Sequence, residues 1–208
     1  MKKLTSTLIA AGVISGAAMS APAMAEGPSG NVSIVSDYVW RGVSQTANQP
    51  TVQGGMDWEM DKLSLGVWGS GLDIGGTEFD LYGSYNFGPV SVGAIYYLFY
   101  AGGSSSSTYE VNVGGDVGPV SLMASYDPDA SAYYLEGGYS MEVSKGVSLD
   151  LHLGYGDSYT TASGGTALDY SIGLSGGYKG VDLALAYAKS DALADNEGKV
   201  FVTVGKSM

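Results

Sequence analysis

Apolar and polar residues alternate with a period of two along most of this chain. In "VSLDLHLGY", Val147, Leu149, Leu151, Leu153 and Tyr155 share one face, while Ser148, Asp150, His152 and Gly154 share the other. "EFDLYGSYNF" divides in the same way, with Phe79, Leu81, Tyr85 and Phe87 against Glu78, Asp80, Tyr82 and Ser84. Such alternation marks extended strands whose two faces meet different surroundings. It predicts strands near 31–43, 51–60, 63–72, 78–87, 90–100, 108–117, 120–127, 132–143, 147–156, 167–178, 181–189 and 199–207. These are twelve, an even number, each close to the roughly 9–11 residues that a tilted strand needs to cross a bilayer.

The connections alternate too. "MDKL", "NFGPVS", "DVGPVS", "VSKGVS" and "YKGVD" are tight and rich in turn residues. "SQTANQP", "DIGGT", "AGGSSSS", "DPDASA", "DSYTTASGGT" and "SDALADNEG" are longer and polar. Short turns at one end and long loops at the other distinguish an outer-membrane barrel from a sandwich. The expected fold is therefore all-β, a transmembrane antiparallel up-and-down β-barrel of twelve strands with both termini periplasmic. "YNFGPVSVGAIYY" and "GDVGPVSLMASY" resemble each other at the scale of one hairpin, which fits enlargement by hairpin duplication.

In a closed barrel surrounded by lipid, the uniformly apolar face points outward and the acidic, glycine-containing face lines the interior. That assigns Asp37, Arg41, Asp57, Glu59, Glu78, Asp80, Glu110, Asp116, Glu136, Glu142, Asp150, His152, Asp169 and Asp182 to the lumen. Tyr38, Trp40, Trp58, Tyr85, Tyr139, Tyr155 and Tyr187 fall near segment ends on the other face. They are candidates for the aromatic girdles that meet lipid headgroups. Trp68 is expected to point inward, filling space over Gly55 and Gly66.

The first 25 residues stand apart. Lys2 and Lys3 precede the apolar run "LIAAGVISGAAMS", and Ala23-Met24-Ala25 has the small-x-small pattern of a secretory cleavage site. Residues 1–25 are thus expected to be a cleaved signal peptide, leaving 26–208 as one barrel domain. Loss of the two lysines takes the formal charge from −12 to −14. Nucleic acid is an unfavourable partner for such a chain. With no cysteine, neither disulfides nor lipidation at cysteine is available.

"SDYVWRGVSQT", followed by "QGG", "GVWGSGLD" and "EFDLYGSY", resembles the N-terminal part of the TorF-type porins, also catalogued as the Gcw-chp conserved outer-membrane family. The resemblance covers residues 31 to 85. It implies an outer-membrane barrel with porin activity and does not define a substrate. One departure is the C-terminus: the chain ends in Met208, where outer-membrane strands usually finish in an aromatic residue.

Carboxylates crowded around a narrow lumen favour cations, so the expected function is passive diffusion of small hydrophilic solutes or ions through a cation-preferring pore. A sealed barrel that binds partners through its loops is the alternative, and a membrane-embedded hydrolase a weaker one. Arg41, the single arginine, suits either a constriction or an internal ion network. Counting along the strands places it level with Gln53, Ser70 and Asp80. His152 is the single histidine, so a multi-histidine metal site is excluded and no cofactor is expected. A Ser-His-Asp set could draw on His152 and Asp169 but lacks a distinctive serine. Asp127, Asp129, Asp191, Asp195 and Glu197 read as solvated loop charge, without a calcium-loop spacing. The expected partners are outer-membrane lipid, lipopolysaccharide, the barrel-assembly machinery and small solutes or cations.

Overall fold

In a computed structural model, residues 28–157, 165–192 and 197–208 are described. The predicted leader, the middle of the loop after residue 157, and Asp195 lie outside them. The elements are β1 (Pro28–Val35), β2 (Val39–Trp40), β3 (Val43–Ser44), β4 (Thr51–Met60), β5 (Leu63–Gly71), β6 (Thr77–Asn86), β7 (Ser91–Ala101), β8 (Ser104–Val117), β9 (Val120–Asp127), β10 (Ala132–Ser144), β11 (Val147–Asp157), β12 (Thr166–Tyr178), β13 (Val181–Ser190) and β14 (Lys199–Ser207). All but β2 and β3 form one closed barrel in which sequence neighbours pair antiparallel. β1 closes it on both sides, against β4 from Pro28↔Trp58 to Val35↔Thr51 and against β14 from Asn31↔Ser207 to Val35↔Thr203.

The alternation dictates the two surfaces. Leu81, Leu135, Leu151, Leu153, Ile172, Leu185 and Val202 are exposed on the outside, while Glu78, Asp80, Glu110 and Asp169 are buried within. This inversion of the soluble pattern is what lipid outside and polar groups inside require. Trp58, Tyr85 and Tyr139 lie on the outer wall toward the short turns. Tyr155 and Tyr187 lie toward the opposite rim.

Two expectations are corrected. The segment 31–43 is not one strand. The wall strand stops at Val35, and the chain folds inward as the β2–β3 hairpin before rejoining the wall at Thr51. The polar residues that looked like lumen-facing positions of a strand instead satisfy one another. Asp37 accepts hydrogen bonds from Ser44 Oγ at 2.5 Å and Thr46 Oγ1 at 2.9 Å, and Thr46 Oγ1 accepts the Tyr38 amide at 3.1 Å. Tyr38 is therefore buried at 3% exposure and Trp40 sits beside it in the hairpin, so neither belongs to a lipid-facing girdle. Second, "AGGSSSS" is not a loop. β7 and β8 pair up to Ala101↔Ser104, and Gly102 and Gly103 make the turn with φ of +58° and +81°.

Candidate functional site

The hairpin crosses the barrel. Its base is held by Ser36, whose amide donates to the Val202 carbonyl and whose Oγ accepts the Val202 amide, both at 2.9 Å. Gln45 O accepts the Asp73 amide at 3.0 Å. One flank packs Val39 against Ala188 of β13 and Phe201 of β14, and Tyr38 meets Trp68 edge to face at 5.4 Å. At the tip, Arg41 and Gly42 both have left-handed backbones, with φ of 47° and 74°. A two-residue turn of this type matches the twist of its flanking strands, and glycine supplies the second position without strain. Gly42 also has no room for a side chain, since an added Cβ would lie 2.7 Å from Ser190 Cβ and 2.8 Å from the Lys189 carbonyl oxygen.

From this tip Arg41 reaches to the far side. Its Nη2 lies 2.9 Å from both Glu110 Oε1 and Glu110 Oε2, and Tyr97 Oη donates to the same carboxylate at 3.3 Å. The guanidinium carbon sits 4.3 Å from the Trp40 ring centre and 3.9 Å from that of Tyr134. Burial disfavours its charge, and the Glu110 carboxylate paired with it offsets that cost. Arg41 is a fixed positive charge in an otherwise acidic interior. The strand count that set it level with Asp80 is superseded, because it lies on the inward hairpin and pairs with β8.

A second cluster adjoins it. Tyr134 Oη donates to Asp169 Oδ2 at 2.9 Å and lies 3.1 Å from His152 Nε2. His152 Nε2 is 3.0 Å from Asp169 Oδ1, and its Nδ1 is 3.6 Å from Glu136 Oε2. A small crevice opens between Arg41, Glu136, His152 and Asp169. Tyr134 fits because the residue diagonal to it on β11 is Gly154, where an added Cβ would stand inside its hydroxyl. Sequence reasoning did not single out Tyr134 or Tyr97, although the alternation puts both on the inner face. The usable signal was an inward aromatic facing an inward glycine on the next strand.

The other interior candidates spread along the barrel. Glu78 lies beside Tyr38, and Asp80 is on the same strand face. Asp57 accepts the Tyr82 hydroxyl at 2.6 Å. Gly66 makes way for Tyr82 and not for Trp68, which lies against Gly55. Nearer the short turns, Asp150 accepts Ser140 Oγ and Ser175 Oγ, each at 2.6 Å, and Glu59 accepts Ser64 Oγ at 2.8 Å. Glu59, Asp116 and Glu142 are exposed there, so this half forms an acidic vestibule open to water while the hairpin half is packed. Asp127 is not solvated loop charge. It is 1% exposed and binds Thr108 Oγ1 at 2.6 Å and the Ala130 amide at 2.9 Å.

A closed antiparallel barrel of twelve strands with an apolar exterior and a polar interior is a fold of the porin type. The chain belongs to the Gcw_chp family, described as bacterial proteins of unknown function, over residues 20–207. Among solved structures it is similar to the KdgM porin, with a TM-score of 0.57 and 11% identity over 86% of this chain and 97% of that one. It is also similar to the NanC porin, with a TM-score of 0.54 and 8% identity over 86% of this chain and 98% of the other. No curated protein matches it in sequence.

Proposed function

We propose that this protein is an outer-membrane channel for small hydrophilic solutes and ions, with an acidic lumen that prefers cations and a constriction made by the Arg41 hairpin. The carrying observation is the inner wall, where Glu78, Asp80, Glu110, Glu136, Asp150 and Asp169 face an interior containing one guanidinium. A negative potential focused by low-dielectric walls concentrates cations and excludes anions. The shared fold with two porins and the resemblance to TorF-type porins agree with this reading. The short turns and termini face the periplasm, so the acidic vestibule opens inward and the hairpin narrows the outer half.

The test is single-channel recording in a planar bilayer with a KCl gradient. Discrete steps with a reversal potential displaced toward that of K⁺ are expected, and an anion-selective potential would overturn the proposal. A second reading, a barrel sealed at the hairpin and acting through its loops, draws on the near-complete burial of Glu78, Glu110 and Asp169 around the hairpin. A folded barrel that never conducts would favour it. Catalysis has little support, because His152 is held between carboxylates inside the wall, away from any lipid substrate.

A further inference from the structure

The tip of the hairpin has the form of a bound ligand. Its guanidinium carbon lies over the Tyr134 ring, 3.9 Å from the ring centre, and presents one nitrogen to both oxygens of Glu110, with Tyr97 Oη on the same carboxylate. Glu136 lines the adjoining crevice. None of these partners comes from the hairpin. Tyr97 is on β7, Glu110 on β8 and Tyr134 and Glu136 on β10, all held by barrel ladders, and Tyr134 is further fixed over Gly154 by its bond to Asp169. The wall therefore keeps its geometry whether or not the hairpin is seated, which is the condition for a preformed binding site.

We infer that the patch formed by Tyr97, Glu110, Tyr134 and Glu136 is a binding site for solutes bearing a guanidinium or similar flat cationic group, and that Arg41 occupies it as an internal stand-in. This rests on the channel reading in so far as it names the solute. The physical reason is the carboxylate of Glu110, which is 2% exposed. A buried charge left without its counterion is strongly unfavourable, so a seat vacated by Arg41 draws in a cation. The aromatic face and the two-oxygen acceptor select a planar N–H donor over a spherical ion.

The experiment removes Arg41 and offers its head group free. Purified Arg41→Ala protein is melted in detergent with millimolar methylguanidinium, with sodium at the same ionic strength, and with tetramethylammonium, which has no N–H. Methylguanidinium is expected to raise the melting temperature of Arg41→Ala by a few degrees over both controls, as a ligand bound only by the folded state must. The wild type, with its seat filled, should not respond. In Arg41→Ala/Glu110→Gln the apparent affinity should fall about tenfold or more. If Arg41→Ala does not fold, Arg41→Gln replaces it. Equal effects of the three cations, or a response that survives Glu110→Gln, would overturn the site. Bilayer recording separates the two proposals. Methylguanidinium should interrupt the current through Arg41→Ala. A non-conducting protein whose Arg41→Ala variant still shows the specific melting shift would sink the channel reading alone, and a conducting protein without the shift would sink the site alone.

Discussion

Glu110 is a carboxylate buried on the inner wall of the barrel. It is 2% exposed, and its charge is balanced by Arg41 with help from the Tyr97 hydroxyl. Breaking a buried pair from one side leaves the other charge stranded, at a cost of about 3–5 kcal/mol. Glu110→Ala should therefore lower the urea midpoint of unfolding strongly, while Glu110→Ala combined with Arg41→Ala should recover part of the loss. If the double variant were no more stable than the single one, the pair would not be coupled. The wall provides a sharper contrast between adjacent residues. Leu151 points outward between Tyr139 and Ile172, and Asp150 points inward to Ser140 and Ser175. Leu151→Arg puts a charge against lipid and should cost about 2–4 kcal/mol near the midplane. Asp150→Asn loses only charged acceptors beside water and should fold nearly as well as wild type, as judged by heat-modifiable migration. The reverse outcome would mean that inside and outside have been exchanged.

At the scale of elements, the wall could be read from the sequence and the hairpin could not. A period of two survives any strand register, so the faces of β11 and β12 follow from "VSLDLHLGY" and "LDYSIGLS" alone. The first segment has the same period through Trp40, and nothing local says that it leaves the wall after Val35. Its turn residues are Arg41-Gly42, where the familiar marker of a tight hairpin is Asn-Gly or Asp-Gly. The deciding information is long-range: Thr51 is already opposite Val35, so the residues between have no wall strand to pair with. The same distance in sequence hid Glu110 as the partner of Arg41. The hairpin also makes its own prediction. Gly42→Val places a branched side chain at φ +74°, costing roughly 1–2 kcal/mol from backbone strain, and drives it into the Lys189 carbonyl. The barrel ladders do not involve Gly42, so the variant should still form a heat-modifiable barrel with its hairpin unseated. Its single-channel conductance should exceed that of the wild type. An unchanged conductance would show that the hairpin does not narrow the path.

For the whole molecule, the distribution of polar burial gives the barrel a direction. Interior carboxylates are packed at the hairpin end and water-exposed at the short-turn end, so an acidic vestibule ends at the packed hairpin. Which end faces the cell surface fixes whether solutes meet the constriction first or last. Closely spaced two-residue turns suit the periplasmic rim, and longer connections suit the outside. The β7–β8 hairpin makes this testable, because its Gly102–Gly103 turn belongs to the long-loop end yet is as tight as the turns of the opposite rim. An added side chain at Gly102, at Gly103 or at Gly146 of the β10–β11 turn would meet nothing within 4 Å, so a short peptide tag can be carried at either rim without disturbing the ladders. A tag placed between Gly102 and Gly103 should bind antibody on intact cells, and one placed after Gly146 should do so only after the outer membrane is permeabilised. The opposite pattern would put the acidic vestibule at the cell surface, and solutes arriving from outside would then be concentrated by its carboxylates before they reached Arg41.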